Sequence, residues 1–247
     1  MISFKNDIDK IRAYGNDVTA LITGASSGMG LLYANYLAEA GCDLVIVSNQ
    51  EKELEDVADR LRNDHGVKVI ARYQDLSQED AAQQLFDFCK NQNAVIDILI
   101  NNAGMFFFHE LDDEYHTKME LMLNLHIMTP THMCRIFGNE MKKRGYGFII
   151  LVSSMAARLP YPGITIYSAT KAYLKSFGKS FYYEMRDYGV GVTTVCPGAI
   201  ATPLYKINPR LLKLGVNLGV VGTPQWLVKK ALKGMFKKKM VVAPGAM

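Results

Sequence analysis

Residues 18–30 read VTALITGASSGMG, and this stretch decides the fold class. Its first five residues are apolar and partly β-branched, which predicts a buried strand. Glycines follow at positions 24, 28 and 30, and an amphipathic run over 31–40 predicts a helix that ends at Gly41. Such a turn lets the backbone approach a pyrophosphate while the helix N-terminus offers free N–H groups. The order therefore indicates a phosphate-binding element, and this context disfavours the alternative, an ordinary Gly/Ser turn.

The rest of the chain alternates predicted strands and helices. We expect strands at 44–47, 67–73, 96–100, 148–152, 190–195 and 240–243, and helices at 51–62, 79–92 and 115–144 (broken near Pro130). A further predicted helix carries Tyr167 and Lys171 and includes residues 169–188. Continuous apolar strands separated by helices imply a parallel sheet with helices on both faces. Because ligands bind beyond the carboxyl ends of such strands, we expect five segments to meet at one edge. These are the glycine turn, Asp75, residues 101–104 (NNAG), residues 153–154 (SS) and residues 196–198 (CPG).

Composition limits the classes of protein that remain. With 247 residues, 49% of them hydrophobic and 21% charged, the chain fits one α/β domain with a sizeable core. A net charge of +4 is too small to indicate a nucleic-acid partner. The cysteines are scattered without metal-ligand spacing, no apolar run reaches the roughly 20 residues that span a bilayer, and no signal peptide is evident. We therefore expect a cytoplasmic protein with reduced thiols and no metal site.

Tyr167 and Lys171 are the residues best suited to chemistry. Four residues apart on a predicted helix, they lie on one face, one turn from each other. A phenol has an unperturbed pKa of about 10, and a neighbouring ammonium group lowers it towards neutrality. Ser154, at the end of the preceding strand, could hold the oxygen on which the tyrosine acts. Alone, this spacing also occurs on many solvated helix faces.

Taken together, these motifs resemble the short-chain dehydrogenase/reductase family over nearly the whole chain. The matching elements are Thr23-Gly24-x-x-x-Gly28-x-Gly30, Asn101-Asn102-Ala103-Gly104, Ser154, Tyr167-x-x-x-Lys171 and Pro197-Gly198. Residues 159–171 (LPYPGITIYSATK) are most similar to the 17β-hydroxysteroid dehydrogenase and very-long-chain 3-ketoacyl-CoA reductase subgroup. The resemblance implies a single-domain Rossmann-type fold over residues 1–247, a doubly wound parallel sheet with helices on both faces. It also implies hydride transfer between a nicotinamide cofactor and a carbonyl or alcohol carbon.

The resemblance assigns a role to each matching residue. Tyr167 would be the general acid in reduction and the general base in oxidation, Lys171 would lower its pKa and hold the nicotinamide ribose, and Ser154 would bind the substrate oxygen. Residues implied to bind the cofactor are Gly24, Ser26, Ser27, Gly28, Met29, Gly30, Ser48, Asn49, Asp75, Leu76, Asn102, Ala103, Gly104, Tyr167, Lys171, Pro197, Gly198, Ile200 and Thr202.

One position departs from the family pattern. Members usually carry an asparagine in the helix before the serine strand, where it helps a water relay protons towards the lysine. Aligned on residues 122–129 (MLNLHIMT), His126 takes that position. Asn124 lies on a different helix face, although a kink could bring its amide in. An imidazole could relay protons because its pKa lies near neutrality. The alternative is a buried histidine bonded to backbone.

Cofactor choice depends on the end of the second strand. An NAD site usually has an acid there, and neither Ser48 nor Asn49 is acidic. The arginine expected of an NADP site is missing as well. Hydroxyl and amide groups of Ser48, Asn49 and Gln50, with those of Ser26 and Ser27, could bind a 2′-phosphate. We therefore expect NADP(H) to be preferred, with NAD(H) possible.

Substrate and partners follow from less specific features. The family usually builds its substrate lid after Pro197-Gly198, here at about 199–222, where an apolar sequence suits a steroid, an acyl chain or another apolar carbonyl substrate, or else packs a helix onto the domain. A lysine-rich helix near the C-terminus could make peripheral contact with a membrane, although a solvated face is the commoner explanation. The aromatic helix after Tyr167 predicts a homodimer or homotetramer. The competing functions are reduction of small polar carbonyls and non-catalytic dinucleotide binding by a regulatory protein.

Overall fold

A single seven-stranded parallel sheet organises the chain. The computed structural model describes residues 4–12, 17–159, 161–198 and 222–244. The strands are β1 (Thr19–Thr23), β2 (Asp43–Ser48), β3 (Val69–Tyr73), β4 (Ile98–Asn101), β5 (Gly147–Val152), β6 (Val190–Val195) and β7 (Val241–Val242). Their order is β3-β2-β1-β4-β5-β6-β7, and every neighbouring pair is parallel. The strand order reverses between β1 and β4, the position at which such sheets bind their ligands.

Helices cover both faces of the sheet. They are α1 (Lys5–Arg12), α2 (Gly28–Glu39), α3 (Glu51–His65), α4 (Ala81–Asn91), α5 (His116–Leu123), α6 (Thr129–Arg144), α7 (Thr165–Arg186) and α8 (Pro224–Phe236). Alternate residues of β1 face two apolar layers. Ile22 belongs to the layer formed with α1, α2, α3 and α8, and Leu21 belongs to the layer formed with α4, α6 and α7. The doubly wound parallel fold expected from the sequence is confirmed.

The predicted break near Pro130 is wrong in its position. Helix α5 continues into a π-helical turn at Asn124–Met128, which leads directly into α6. Pro130 is the second residue of α6 and follows the π turn directly, so the N–H that proline lacks would otherwise face the carbonyls of that turn. A π turn carries an extra residue and so changes the direction of the side chains that follow it.

The N-terminal helix packs on the domain, since α1 buries Ile8 and Ile11 in the apolar layer that contains Ile22. The predicted lid, together with Ile200 and Thr202, lies outside the described residues apart from position 222. No helix in the described ranges is long and apolar enough to cross a membrane.

Candidate active site

The glycine turn between β1 and α2 is tightly packed against the loop after β4. Gly24 has φ +67°, and a Cβ there would lie 3.0 Å from the Cα of Ala103. A Cβ on Gly30 would overlap the carbonyl oxygen of Gly24, so a side chain at position 30 would push the turn apart. These two glycines bring the backbone close to whatever occupies the space in front of the turn.

The Asn-Asn-Ala-Gly segment holds this turn in place. Thr23 Oγ1 accepts hydrogen bonds from the backbone N–H groups of Asn102 (3.0 Å) and Ala103 (2.9 Å). The amide of Asn102 donates to the carbonyl of Thr23 at 2.9 Å. Its Oδ1 is buried and has no hydrogen-bond partner among the described residues. Asn102 therefore has a structural task that the sequence alone did not indicate, and one acceptor left over.

A cleft of about 370 Å³ lies at the carboxyl edge of the sheet. Its described lining consists of Gly24, Ser26, Ser27, Gly28, Met29, Ser48, Asn49, Gln50, Gln74, Asp75, Leu76, Asn102, Ala103, Gly104, Met105, Leu125, Val152, Ser153, Tyr167, Lys171, Pro197 and Gly198. The structure thus brings together every described residue expected to bind a cofactor except Gly30, which packs behind the turn. Ser153 was expected at this edge of the sheet but not as a cofactor-binding residue. Gln74, Met105, Leu125 and Val152 were not expected there, because only the folded chain shows which neighbours of a motif reach the same space.

Tyr167 and Lys171 lie on α7 at one side of this cleft. Lys171 is 5% exposed, and its Nζ donates to the carbonyl of Val152 at 3.1 Å. That Nζ lies 5.6 Å from the centre of the Tyr167 ring. Burial lowers the pKa of Lys171 to about 8, so the ammonium still predominates at neutral pH. A cation at this distance favours the phenolate form of the tyrosine.

Ser154 is buried beside the cleft and is missing from the described residues that line it. Its Oγ accepts a hydrogen bond from the N–H of Ala156 at 3.1 Å, at the start of a short helical turn (Met155–Arg158). An accepting hydroxyl keeps its own proton to donate. The neighbouring Ser153 does line the cleft, but its Oγ donates to the carbonyl of Lys171 at 2.6 Å and so ties β5 to α7.

His126 lies against Tyr167 and near Lys171, and Asn124 occupies a different position on the π turn. The His126 ring lies 5.9 Å from the Tyr167 ring and is 1% exposed. Burial, with a smaller contribution from the charge of Lys171, lowers the pKa of His126 well below its ordinary value. Asn124 begins the π turn, is half-buried and is missing from the described lining of the cleft.

A network of uncharged polar groups forms the opposite end of the cleft. Ser26 Oγ lies 2.9 Å from Ser48 Oγ and donates to Gln50 Oε1 at 2.9 Å. The N–H of Gln50 donates to Ser48 Oγ at 3.1 Å. Lys171, at the far end, is the one cation among the described lining residues.

Asp75 is the carboxylate at this end of the cleft. Burial alone would raise the pKa of Asp75, but hydrogen bonds from the N–H and hydroxyl of Ser77 and from Gln78 outweigh it and hold the pKa below its usual value. The group is therefore an anion with several of its lone pairs already used.

These features fit a nicotinamide dinucleotide. The glycine turn is a cradle that a Cβ would fill, and the first N–H groups of α2 have no partners within their helix. Polar side chains lie at one end of the cleft, and Tyr167 and Lys171 lie at the other. No three His, Cys, Asp or Glu side chains within the described ranges form a metal site.

Known proteins are similar to this chain in sequence and in fold. A sequence profile of the family described as short chain dehydrogenase matches residues 18–210. Mouse very-long-chain 3-oxoacyl-CoA reductase is 31% identical over 76% of this chain, and the human enzyme of that name is 32% identical over 87%. The match covers 61% of the mouse protein and 67% of the human one, so the chain spans about three fifths to two thirds of the length of these relatives.

Solved structures of dehydrogenases are similar to this chain in fold. A short-chain dehydrogenase from Sphingobium yanoikuyae in complex with NADPH superimposes with a TM-score of 0.82 at 31% identity, covering 92% of this chain and 87% of that one. The bulky-bulky ketone specific alcohol dehydrogenase from Comamonas testosteroni superimposes equally well, with a TM-score of 0.82 at 29% identity, covering 94% and 87%. The chain belongs to the short-chain dehydrogenase/reductase family of oxidoreductases.

Proposed function

We propose that this chain is an NADP(H)-dependent oxidoreductase that interconverts a ketone and a secondary alcohol on an apolar substrate of the ketosteroid or 3-ketoacyl type. The observation that carries the proposal is the position of Tyr167 and Lys171, which share one wall of a cleft whose other end is a glycine turn. A bound nicotinamide supplies or accepts the hydride. The chain's own residues supply the proton and hold the reacting oxygen.

In the reducing direction, the Tyr167 phenol donates its proton to the carbonyl oxygen as that oxygen gains charge. The Lys171 ammonium stabilises the phenolate that remains, because the cation lies over the same ring. Ser154 keeps a hydroxyl proton that can hold the substrate oxygen. In oxidation, the phenolate accepts the alcohol proton instead.

The apolar substrate class is supported by exposed side chains on two loops beside Tyr167. Phe108 is 66% exposed and packs against Tyr161, which is also exposed, while Phe106 meets the Tyr167 ring edge-to-face at 5.0 Å. Exposed aromatic side chains beside a catalytic cleft favour a bulky apolar ligand over a sugar. The names of the relatives, a long-chain 3-oxoacyl-CoA reductase and a bulky-ketone alcohol dehydrogenase, point the same way.

NADP(H) is supported by the uncharged hydrogen-bonding groups in the glycine turn and at the end of the second strand. Ser26, Ser48 and Gln50 offer hydroxyl and amide groups, and no acid at position 48 or 49 would repel a 2′-phosphate. The related Sphingobium dehydrogenase was solved with NADPH.

Association and membrane contact are proposed from two surfaces. On α7, Tyr173, Phe177 and Phe181 form a stacked row, which supports a homodimer or homotetramer through this helix. Light scattering at the exit of a sizing column tests this association.

On α8 and the turn after it, four lysines are exposed: Lys230, Lys233, Lys237 and Lys239. They support peripheral contact of a cytoplasmic protein with anionic lipid. Sedimentation with phosphatidylserine vesicles tests this contact.

A substrate panel with each cofactor tests the function. Ketosteroids, 3-ketoacyl thioesters and small sugar ketones are offered with NADPH and with NADH, and cofactor oxidation is followed. We expect the highest kcat/KM with NADPH and an apolar ketone. Cofactor binding without turnover on any substrate, unchanged by Tyr167→Phe, would favour the non-catalytic regulatory protein, and preference for sugars would favour the polar-carbonyl reductase.

A further inference from the structure

His126 joins two parts of the cleft through a directed set of hydrogen bonds. The backbone N–H of Met105, in the loop after β4, lies 3.0 Å from His126 Nε2. On the other side of the ring, Nδ1 lies 3.0 Å from Thr170 Oγ1, on α7. The Thr170 hydroxyl in turn donates to the carbonyl of Tyr167 at 2.8 Å. All three contacts are buried or partly buried.

The direction of these bonds determines the tautomer of the imidazole. A backbone N–H can only donate, so Nε2 must be the unprotonated nitrogen. A neutral ring then carries its proton on Nδ1 and donates it to Thr170, whose own proton is used on Tyr167. Neither ring nitrogen is left to take up or pass on a proton.

We propose that His126 is a positioning residue, a neutral bridge between the cofactor-facing backbone at Met105 and the catalytic helix at Thr170, and not a proton carrier. This inference rests on the proposed function for its catalytic consequence. The bridge runs beside the reacting groups: a Cβ on Gly104 would lie 3.1 Å from His126 Nε2 and 3.7 Å from Lys171 Nζ. Lys171 lines the cleft, so its ammonium group can exchange protons directly with solvent or ligand in the cleft, without His126.

The tautomer is measurable without substrate or cofactor. Nitrogen-15 spectra of the histidine side chains are recorded on the cofactor-free chain from pH 7.5 to 5.5, and the His126 signals are identified as those lost in His126→Asn. We expect a neutral ring protonated on Nδ1 that does not titrate in this range. The titratable groups that face it within the described residues, Tyr167 and Lys171, both lie on α7, and neither is a carboxylate that would favour the imidazolium. A ring protonated on Nε2, or one that titrates near pH 6.5, would overturn the bridge.

A pair of variants then separates a bridge from a proton carrier. His126→Ala leaves the Met105 N–H and the Thr170 hydroxyl without their buried partner, so NADPH affinity and turnover should both fall, each by about tenfold. His126→Asn offers an acceptor and a donor on one amide and should restore most of both. Added imidazole should not rescue His126→Ala.

The exposed His132, on α6, provides the matched control, since His132→Ala should change neither quantity. If His126→Ala keeps its NADPH affinity and imidazole restores its turnover, His126 carries protons and the bridge is wrong. Absence of turnover in the unaltered chain would defeat the proposed function, while the tautomer and the NADPH affinity would still decide the bridge.

Discussion

Two buried polar clusters lie at opposite edges of the same sheet, and they differ in what they face. At the amino edge, Asp97 accepts the N–H of Thr19 at 3.0 Å and lies 3.7 Å from Arg144, which donates to the carbonyl of Ile96 at 2.6 Å. At the carboxyl edge, Lys171 donates to the carbonyl of Val152 and lines an open cleft.

Burial shifts ionisation at both edges. It is the largest cause of the raised pKa of Asp97, and it lowers the pKa of Lys171 to about 8. A perturbed pKa therefore does not identify a functional site by itself. The adjoining cavity distinguishes the two clusters. Asp97 at the amino edge does not line the cleft, while Tyr167 and Lys171 at the carboxyl edge face space that a ligand can enter. Substitutions at the carboxyl edge should accordingly lower activity, and substitutions at the amino edge should lower stability.

Tyr167→Phe should have the largest effect. It removes one oxygen at the carboxyl edge, so turnover should fall by about 10² to 10⁴-fold, the usual contribution of a general acid. NADPH affinity and the free energy of unfolding should change little. Steady-state NADPH oxidation measures turnover and the KM for NADPH, and chemical denaturation measures the free energy of unfolding. Turnover within a factor of two of the parent chain would remove Tyr167 from the chemistry.

Asp97→Ala is the counterpart at the amino edge. It leaves the Arg144 guanidinium without its carboxylate and the Thr19 N–H without its acceptor, so unfolding should become easier by about 3–5 kcal/mol. Activity per folded molecule should be kept. Asp97→Asn, which keeps an acceptor, should cost less. Lost specific activity in Asp97→Ala, at a temperature where it is folded, would contradict the division between the edges.

The charge of Lys171 should set an alkaline limit on turnover. Its folded pKa of about 8 lies below the ordinary lysine value, so the ammonium is present below pH 8 and is lost as the pH rises through 8. If that ammonium supports the phenolate, kcat/KM should fall about tenfold per pH unit above this point. Over the same range stability should rise, because the unfolded chain then binds more protons. A pH profile flat to pH 10 would show that the charge of Lys171 is not needed.

Ser48→Ala should have the smallest effect. It removes one hydroxyl from the network of Ser26 and Gln50, so the KM for NADPH should rise about fivefold, equivalent to one hydrogen bond. The KM for NADH should stay constant, since NADH has no 2′-phosphate. Equal changes for both cofactors would place this network away from the phosphate.

The sequence predicted most of the fold because its signals are local. Alternation of apolar strands with helices, and glycines at 24, 28 and 30, specify the sheet and its ligand edge without reference to distant contacts. The π turn at Asn124–Met128 could not be predicted, because the same residues suit an α-helix and the hydrogen bond from the loop after β4 to His126 is visible only in the folded chain. For the same reason, the choice between His126 and Asn124 needed coordinates.

The site was predicted less completely than the fold. Motifs identified most of the described residues that line the cleft, but not the hydrogen bonds that position them. The hydrogen bonds from Asn102 to Thr23 and from Ser153 to Lys171 join residues far apart in the chain. Such links are invisible to spacing arguments, and they explain why the Asn-Ala-Gly segment and the serine pair lie where they do.

Transfer of deuterium is the most direct measurement of the proposed chemistry. NADPH carrying deuterium at C4 of the nicotinamide is incubated with the chain and a bulky apolar ketone, and the alcohol product is examined by mass spectrometry and NMR. We expect one deuterium at the carbinol carbon of the product, formed at least about 10²-fold more slowly by Tyr167→Phe. An alcohol without deuterium from either face of the nicotinamide, or labelled product formed equally fast by Tyr167→Phe, would contradict hydride transfer assisted by Tyr167.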